Sequence, residues 1–196
     1  MIREKIILDL IAEKDVLDVG SVGQTESYNL WDLYQTANCK SLTGIDLPEA
    51  EKERKEIFQL DTPQREEQVV FGNMESYAFQ REFDVIIAGD VIEHVENQGL
   101  FLRNIHRHLR QDGKLVITTP NAKWPTVIQE PNPTHTLWHD RYTLESILYL
   151  CGFEVSRFRY YYGNKRSYNF FARFLTFRQG LLVICHKKNK EEVLNP

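Results

Sequence analysis

Short apolar segments alternate with helical segments along the first 120 residues, and this alternation limits the fold more than any other feature of the chain. Apolar segments of strand length lie at 16–20, 41–46, 68–73, 83–90 and 114–120. Segments of helical character lie at 2–13, 26–38, 48–59 and 97–111. The sequence FDVIIAGD at 83–90 is almost wholly apolar, as in a strand buried on both faces of a parallel sheet. The pattern predicts an α/β protein with a doubly wound, mostly parallel sheet.

The last third of the chain predicts how this sheet is completed. A helix at 141–151 ends at Gly152, and two further strands follow at 153–162 and 180–187. We expect these two strands to form an antiparallel pair, which completes a Rossmann-like sheet of seven strands. A length of 196 residues fits one domain, so we expect residues 1–196 to form a single unit.

Two segments interrupt the alternation. Residues 120–140 contain four of the seven prolines, and a loop this long inside a compact domain is usually functional. We expect it to form a lid over the active site. The second segment, 163–179, is an aromatic and basic insertion between the last two strands.

Charge is distributed unevenly along the chain. The net charge is −4, yet residues 155–190 contain nine Lys and Arg and no Asp or Glu, leaving 15 basic and 28 acidic residues elsewhere. Basic side chains neutralise phosphates and aromatic rings stack on bases, so the segment 157–178 suits RNA. We favour instead ring packing on the sheet or a homodimer contact through 163–179, because a pI of about 5.9 is not that of a dedicated nucleic-acid-binding protein.

Several other classes of protein are disfavoured. No apolar run approaches the roughly 20 residues of a membrane helix, and the first residues, MIREKIILDL, lack the pattern of a signal peptide. Three widely spaced cysteines give neither a disulfide framework nor a zinc pattern, so we expect a cytoplasmic protein. The chain has no G-x-x-x-x-G-K-[ST] motif, which argues against a phosphate-binding P-loop.

Residues suited to a nucleoside ligand follow the first two strands. The sequence from Asp18 to Gly23 ends the first strand with a glycine turn, where backbone and ligand can approach closely. Asp46 ends the second strand, and a carboxylate there can accept hydrogen bonds from both hydroxyls of a ribose. The alternative is that Asp46 caps the following helix. The turn fits the NAD fingerprint G-x-G-x-x-G poorly, because Ser21 and Val22 follow Gly20.

In these segments the chain resembles the class I S-adenosylmethionine-dependent methyltransferases, of the type 11 and type 23 kind. The segments that carry the resemblance are VLDVGSVG at 16–23, GIDLPE at 44–49, FGNMESY at 71–77, FDVIIAGDVIEHV at 83–95 and LRQDGKLVITTPN at 109–121. The resemblance implies S-adenosylmethionine as cofactor and S-adenosylhomocysteine as product. The cofactor-binding residues that it implies are Asp18, Gly20, Gly23, Asp46, Asn73, Met74 and Gly89.

Two motifs depart from the pattern of that family. Val22 and Gln24 stand where the first motif has glycine, and Gly23 is displaced by one position. Asn73 stands where an Asp often accepts a hydrogen bond from the adenine amino group, and an Asn carbonyl can accept the same bond. Met74 is expected to pack on the adenine face or in the core.

Acidic and histidine side chains follow the fourth strand. Asp90, Glu93 and His94 stand at i, i+3 and i+4, so they share a face on a helical turn just beyond the strand end. His135 and His139 lie at the far end of the proline-containing loop, which can fold back over the same place.

Three interpretations of this group remain open from the residues. His94 or His139 can be a general base; or Asp90, Glu93, His94 and His139 can hold a divalent ion that lowers a hydroxyl pKa; or Glu93 and His94 only start a helix. The group also resembles that of the ubiquinone-biosynthesis O-methyltransferases. We expect Asp90, Glu93, His94 and His139 to be catalytic, without a resident metal ion.

The function expected is methyl transfer from S-adenosylmethionine to an oxygen of a small molecule or glycan. The cofactor supplies an activated methyl group, so the protein has to align the reacting atoms and, for an oxygen acceptor, remove a proton. Two alternatives are an RNA methyltransferase that uses residues 157–178 and a domain that binds the cofactor without catalysis.

Overall fold

A single sheet of seven strands organises the protein, shown here by a computed structural model that describes residues 2–22, 34, 37–50, 66–124, 132–161 and 179–188. The strands are β1 (Asp15–Val19), β2 (Ser41–Asp46), β3 (Glu66–Phe71), β4 (Phe83–Gly89), β5 (Leu109–Pro120), β6 (Phe153–Tyr161) and β7 (Gly180–Lys187). The helices are α1 (Ile2–Ile11), α2 (Gln98–His108) and α3 (Arg141–Leu150), with short 3₁₀ turns at Pro48–Ala50 and Ile92–His94.

The strand order is β3-β2-β1-β4-β5-β7-β6. The first five strands are parallel, and β7 is antiparallel to both of its neighbours, β5 and β6. This confirms the predicted Rossmann-like sheet with its C-terminal antiparallel pair. The order reverses between β1 and β4, and ligands of open α/β sheets bind beyond the carboxyl ends of the strands at such a point.

Both faces of the sheet are covered by apolar side chains, because successive residues of a strand point to opposite faces. Leu17 and Val19 of β1 belong to a cluster that includes the buried faces of α2 and α3. Val16 of the same strand belongs to a second cluster with Ile7 and Ile11 of α1. Burial on both faces accounts for the continuous apolar runs of these strands.

Side-chain caps fix the starts of the two helices that follow the predicted catalytic segments. The Asn97 side chain accepts a hydrogen bond from the Leu100 amide at the start of α2. Asp140, directly after His139, forms a capping box with Thr143 at the start of α3. Such caps contribute about 1 kcal/mol each, and here they also fix where the preceding segments enter their helices.

Some boundaries differ from those predicted. Helix α2 ends at His108, and β5 begins at Leu109 and includes Gly113, because Phe83 pairs with Leu109 before the register shifts at a bulge. The predicted helix at 26–38 lies mostly outside the described residues, as does most of that at 48–59 and of the insertion at 163–179. In the described part of the chain, no helix is long and apolar enough to span a membrane.

Candidate active site

A cavity of about 790 Å³ lies beyond the carboxyl ends of β1, β2, β3 and β4, around the reversal of strand order. Its lining includes seven residues expected from the sequence to bind the cofactor or act in catalysis: Gly20, Asp46, Asn73, Met74, Gly89, Asp90 and His94. Arg3, Glu49 and Glu75 also line it, although they were not among the residues expected to bind the cofactor or to act in catalysis. The cavity therefore joins the expected cofactor residues to the expected acceptor residues.

The turn after β1 leaves backbone bare at the cavity wall. Gly20 has a φ of +76°, and a Cβ there would lie 2.6 Å from Cγ2 of Val91. Its amide donates to the Ile45 carbonyl of β2 at 2.8 Å, which fixes the turn against the sheet. A side chain would be strained and would clash, so the position requires glycine. Gly23 lies outside the described residues.

Asp18 is buried behind this turn. One carboxyl oxygen accepts from the Tyr34 hydroxyl at 3.1 Å, and the other, Oδ2, has no hydrogen-bond partner among the described residues. Burial raises the pKa of Asp18 to about 8, and the hydrogen bond from Tyr34 opposes that rise. A buried oxygen without a partner is costly, so a water molecule or ligand group that reached it would stabilise this carboxyl.

Asp46 joins two backbone segments beside the cavity. Its Oδ2 accepts from the Val22 amide at 2.7 Å and its Oδ1 from the Leu47 amide at 2.8 Å, so the side chain holds the ends of two loops. Asp46 also lines the cavity, where a ligand can reach its carboxylate.

The turn after β3 is held by its own side chains. The Asn73 Oδ1 accepts from the Glu75 amide at 2.8 Å, which orients the exposed Asn73 at the cavity wall. Met74 is buried in the core and lines the cavity at the same time, while its carbonyl accepts from Asn104 of α2 at 2.9 Å.

Asp90 directly follows β4 in the left-handed region, with a φ of +56°. Three elements hold its carboxylate: Arg3 of α1 donates from Nη1 at 2.8 Å, Thr118 of β5 from its hydroxyl at 3.2 Å, and Tyr161 of β6 from its hydroxyl at 3.0 Å. Such a conformation costs about 1–3 kcal/mol for a residue other than glycine and persists where its surroundings fix it. Asp90 is therefore an anchored part of the wall, paired with Arg3.

Glu93 lies in the 3₁₀ turn and is 1% exposed. Its Oε2 accepts from the Thr119 hydroxyl at 2.9 Å. Burial and, to a smaller extent, the negative charge of Asp90 raise the pKa of Glu93 to about 8. The carboxyl is therefore mostly protonated at neutral pH when no cation is near.

His94 is exposed at the cavity wall. Its Nδ1 lies 3.2 Å from the Thr134 carbonyl and 3.1 Å from the Thr134 hydroxyl. The ring meets that of His135 edge-on, with centroids 4.7 Å apart and planes at 87°. One ligand atom from each of Glu93, His94 and His135 lies within 4.8 Å of the others.

His139 lies apart from this cluster. It is buried, and its Nε2 lies 3.0 Å from Oε1 of Gln98. Its segment pairs with Asn121 after β5. The end of the proline-containing loop thus packs on the acidic turn through His135 and its neighbours, while residues 125–131 lie outside the described part.

The residues present fit S-adenosylmethionine. Bare backbone at Gly20 and the Asp46 carboxylate line one end of a cavity whose volume is typical of small-molecule sites. Arg3 and Tyr161 could not be found from motifs, since Arg3 stands in an ordinary helix 87 residues before Asp90 and Tyr161 stands among other aromatics.

Several solved structures of similar fold are methyltransferases. An S-adenosylmethionine-dependent methyltransferase from Clostridium acetobutylicum is 12% identical with a TM-score of 0.67, and the match covers 96% of this chain and 89% of that one. The N-methyltransferase NodS from Bradyrhizobium japonicum is 16% identical with a TM-score of 0.64 and 95% of each chain covered.

A third structure contains the cofactor product. The 1,6-didemethyltoxoflavin-N1-methyltransferase of Burkholderia thailandensis, with 1,6-didemethyltoxoflavin and S-adenosylhomocysteine bound, is 17% identical with a TM-score of 0.65, covering 95% of this chain and 77% of that one. No curated protein sequence matches the chain. The sequence profile of the methyltransferase domain family matches residues 3–157. The chain therefore belongs to the methyltransferase domain family and is a class I S-adenosylmethionine-dependent methyltransferase.

Proposed function

We propose that the protein transfers the methyl group of S-adenosylmethionine to a hydroxyl oxygen of a small molecule or glycan. The observation that carries this proposal is the shared cavity, which runs from Asp46 at the end of β2 to His94 beyond β4. Cofactor and acceptor residues line one space, as transfer between two bound molecules requires.

The cofactor end is assigned to the residues that follow the first four strands. Asp46 accepts the ribose hydroxyls, Asn73 and Met74 border the base, and Gly20 and Gly89 give backbone close to the ligand. Asp18 supports this end from behind, and Gly23 continues the same turn. The bound cofactor supplies an activated methyl group, so these residues bind and orient.

The acceptor end is assigned to His94, supported by Glu93. Asp90 is paired with Arg3, Glu93 is buried, and His139 is buried against Gln98. Of the four residues expected to be catalytic, His94 is thus the one that is exposed at the cavity wall and is neither ion-paired nor buried.

The expected reaction is a direct displacement. The acceptor O–H bond breaks, the oxygen forms a bond to the methyl carbon, and the carbon–sulfur bond breaks to leave a neutral thioether. A hydroxyl is a poor nucleophile until its proton leaves, so the acceptor end has to make that proton easy to remove. The solved neighbours named as N-methyltransferases share only the fold with this chain. The proposal of an oxygen acceptor is based on the acidic and histidine residues of this chain.

The test is transfer of a labelled methyl group to separated pools of small molecules, glycans, protein and RNA. We expect label in a hydroxyl compound, identified as a methyl ether by NMR. His94→Ala should lower the rate by about 10²–10⁴-fold, because removal of the acceptor proton is then no longer assisted, with unchanged affinity for S-adenosylhomocysteine. The matched control is His186→Ala, because His186 of strand β7 pairs with Glu154 of strand β6, and neither residue lines the cavity. Label in RNA, or cofactor binding without transfer to any pool, would contradict the proposal.

A further inference from the structure

We propose that Glu93, His94 and His135 form a binding site for one divalent transition-metal ion at the acceptor end of the cavity. Their ligand atoms lie within 4.8 Å of one another. The set differs from the one considered from the sequence, since Asp90 pairs with Arg3 and His139 contacts Gln98. His135 is thus the second histidine ligand of the proposed site, where His139 was considered from the sequence.

The donor atoms select the kind of ion. One carboxylate oxygen and two imidazole nitrogens suit Zn²⁺, Mn²⁺, Co²⁺ or Fe²⁺, whereas Mg²⁺ and Ca²⁺ prefer oxygen ligands. Ligand bonds of about 2.0–2.2 Å hold two ligands of one ion at most about 4.4 Å apart. Small side-chain rotations therefore bring the observed cluster to coordination distance.

Hydrogen bonds outside the cluster already orient two of the ligands. The His94 Nδ1 faces the Thr134 carbonyl at 3.2 Å, so a proton on Nδ1 leaves the Nε2 lone pair for an ion. The Thr119 hydroxyl donates to Oε2 of Glu93 at 2.9 Å and fixes that carboxyl. Metal-binding histidines commonly donate their second N–H to a backbone carbonyl in this way.

His135 supplies an independent observation. Its Nδ1 is buried and has no hydrogen-bond partner within the described part of the chain. A buried polar atom left unpaired costs about 1–3 kcal/mol, and a bond to an ion removes that cost. His135 is also held in place from both sides, since Thr134 contacts His94, and the Thr136 amide donates to the Glu93 carbonyl at 2.7 Å.

Three protein ligands leave coordination positions open. Closed structural sites use four protein ligands, whereas sites that act on a substrate keep a position for it. Because His94 lines the cavity, the open positions face the acceptor end. An ion there would bind an acceptor hydroxyl and lower its pKa, so that the proton leaves to water. This last step rests on the proposed function, whereas binding of the ion does not.

The test measures metal binding without cofactor or acceptor. Tag-free protein treated with chelator is titrated with Mn²⁺ by calorimetry, and Co²⁺ is followed by its visible absorption. We expect one equivalent of Mn²⁺ on the wild type. His94→Asn, His135→Asn and Glu93→Gln should each weaken binding by about 100-fold or more, since even outer partners of metal ligands contribute about 10–100-fold.

The matched controls are His139→Asn, a histidine of the same loop, and His186→Asn, a histidine paired with an acid elsewhere. Both should bind Mn²⁺ as the wild type does. An unchanged affinity for S-adenosylhomocysteine shows that each variant is folded. Because no acceptor is present, metal binding is measured independently of methyl transfer. Absence of Mn²⁺, Co²⁺ and Zn²⁺ binding to the wild type, or binding that survives both His94→Asn and His135→Asn, would overturn the proposal.

Discussion

Asp46 is the residue at which backbone architecture and ligand binding meet. Its two oxygens accept hydrogen bonds from the backbone amides of Val22 and Leu47, so the carboxylate joins the turn after β1 to the loop after β2. The same carboxylate faces the cavity. Its loss should therefore weaken the cofactor site in two ways, through a missing contact and through a loosened turn.

We expect Asp46→Ala to lower the affinity for S-adenosylhomocysteine by about 1–3 kcal/mol, or about 5- to 150-fold, because hydrogen bonds to a charged group are lost. Isothermal titration calorimetry measures it. Asp46→Asn, which keeps one acceptor oxygen, should fall between the wild type and Asp46→Ala. Asp9→Ala, an exposed acid of α1, is the control and should bind normally. Wild-type affinity in Asp46→Ala would refute the ribose assignment.

Single residues also show where sequence reasoning stops. Asp90 was expected at the site because it follows a buried strand, yet its pairing with Arg3 joins residues 87 positions apart and has no local signal. His135 and His139 stand four positions apart in one loop, and spacing cannot say which ring reaches Glu93. That choice depends on Gln98, which contacts His139, and on Thr134 and Thr136, which hold the loop against the turn.

At the scale of elements, a buried carboxylate joins neighbouring strands near their amino-terminal ends, opposite the cavity. Asp15 of β1 accepts from the Ser41 hydroxyl of β2 at 2.7 Å and forms an ion pair with Arg110 of β5 at 3.0 Å. Arg110 also pairs with Asp84 of β4 at 2.6 Å. Burial alone would raise the pKa of Asp15, but hydrogen bonds from Ser41, Lys40 and Arg110 outweigh it and lower the pKa to about 2.

This network predicts a pH dependence of stability. The pKa of Asp15 is lower in the folded protein, so its contribution is complete above pH 3.8 and is lost as the pH falls toward about 2. The shift corresponds to about 2 kcal/mol. Urea unfolding of the wild type and Asp15→Asn should differ by about that amount near neutral pH, and the difference should shrink below about pH 4.

Asp112→Asn, an exposed acid on β5, is the matched control for this experiment and should unfold like the wild type at each pH. A difference between the wild type and Asp15→Asn that stays constant as the pH falls would mean that packing, and not the charge of Asp15, carries the effect.

Element boundaries show a second limit of sequence reasoning. Strands β2 and β7 have the predicted bounds, and each of the other strands overlaps its predicted segment. The apolar runs of the central strands are explained by burial on both faces. The boundary between α2 and β5 was predicted too far along the chain, because the helix was expected to extend to residue 111 and ends at His108. The pairing of Phe83 with Leu109 starts β5 early and places the polar residues before Gly113 in a bulge, an interaction between strands that the local sequence does not report.

At the scale of the whole molecule, the cavity draws on four strands that are distant in sequence but adjacent in the sheet. The alternation of strands and helices was enough to predict this arrangement, because parallel strands place their carboxyl ends at one edge and the order reverses at β1. Which polar groups meet across that edge depends on loop conformation. A ligand that bridges these loops should stabilise the molecule as a unit.

Thermal unfolding with S-adenosylhomocysteine or with NAD tests this expectation for the whole chain. A ligand present at 100 times its dissociation constant adds about 2.7 kcal/mol to the free energy of unfolding. For a chain of 196 residues this is a rise in Tm of about 5–10 °C. NAD should leave the Tm unchanged, because the turn has valine at position 22, where the dinucleotide-binding fingerprint has its second glycine. Asp46→Ala should need a higher concentration of S-adenosylhomocysteine for the same rise. An equal rise with NAD, or none with S-adenosylhomocysteine at millimolar concentration, would contradict the assignment of the cavity to this cofactor.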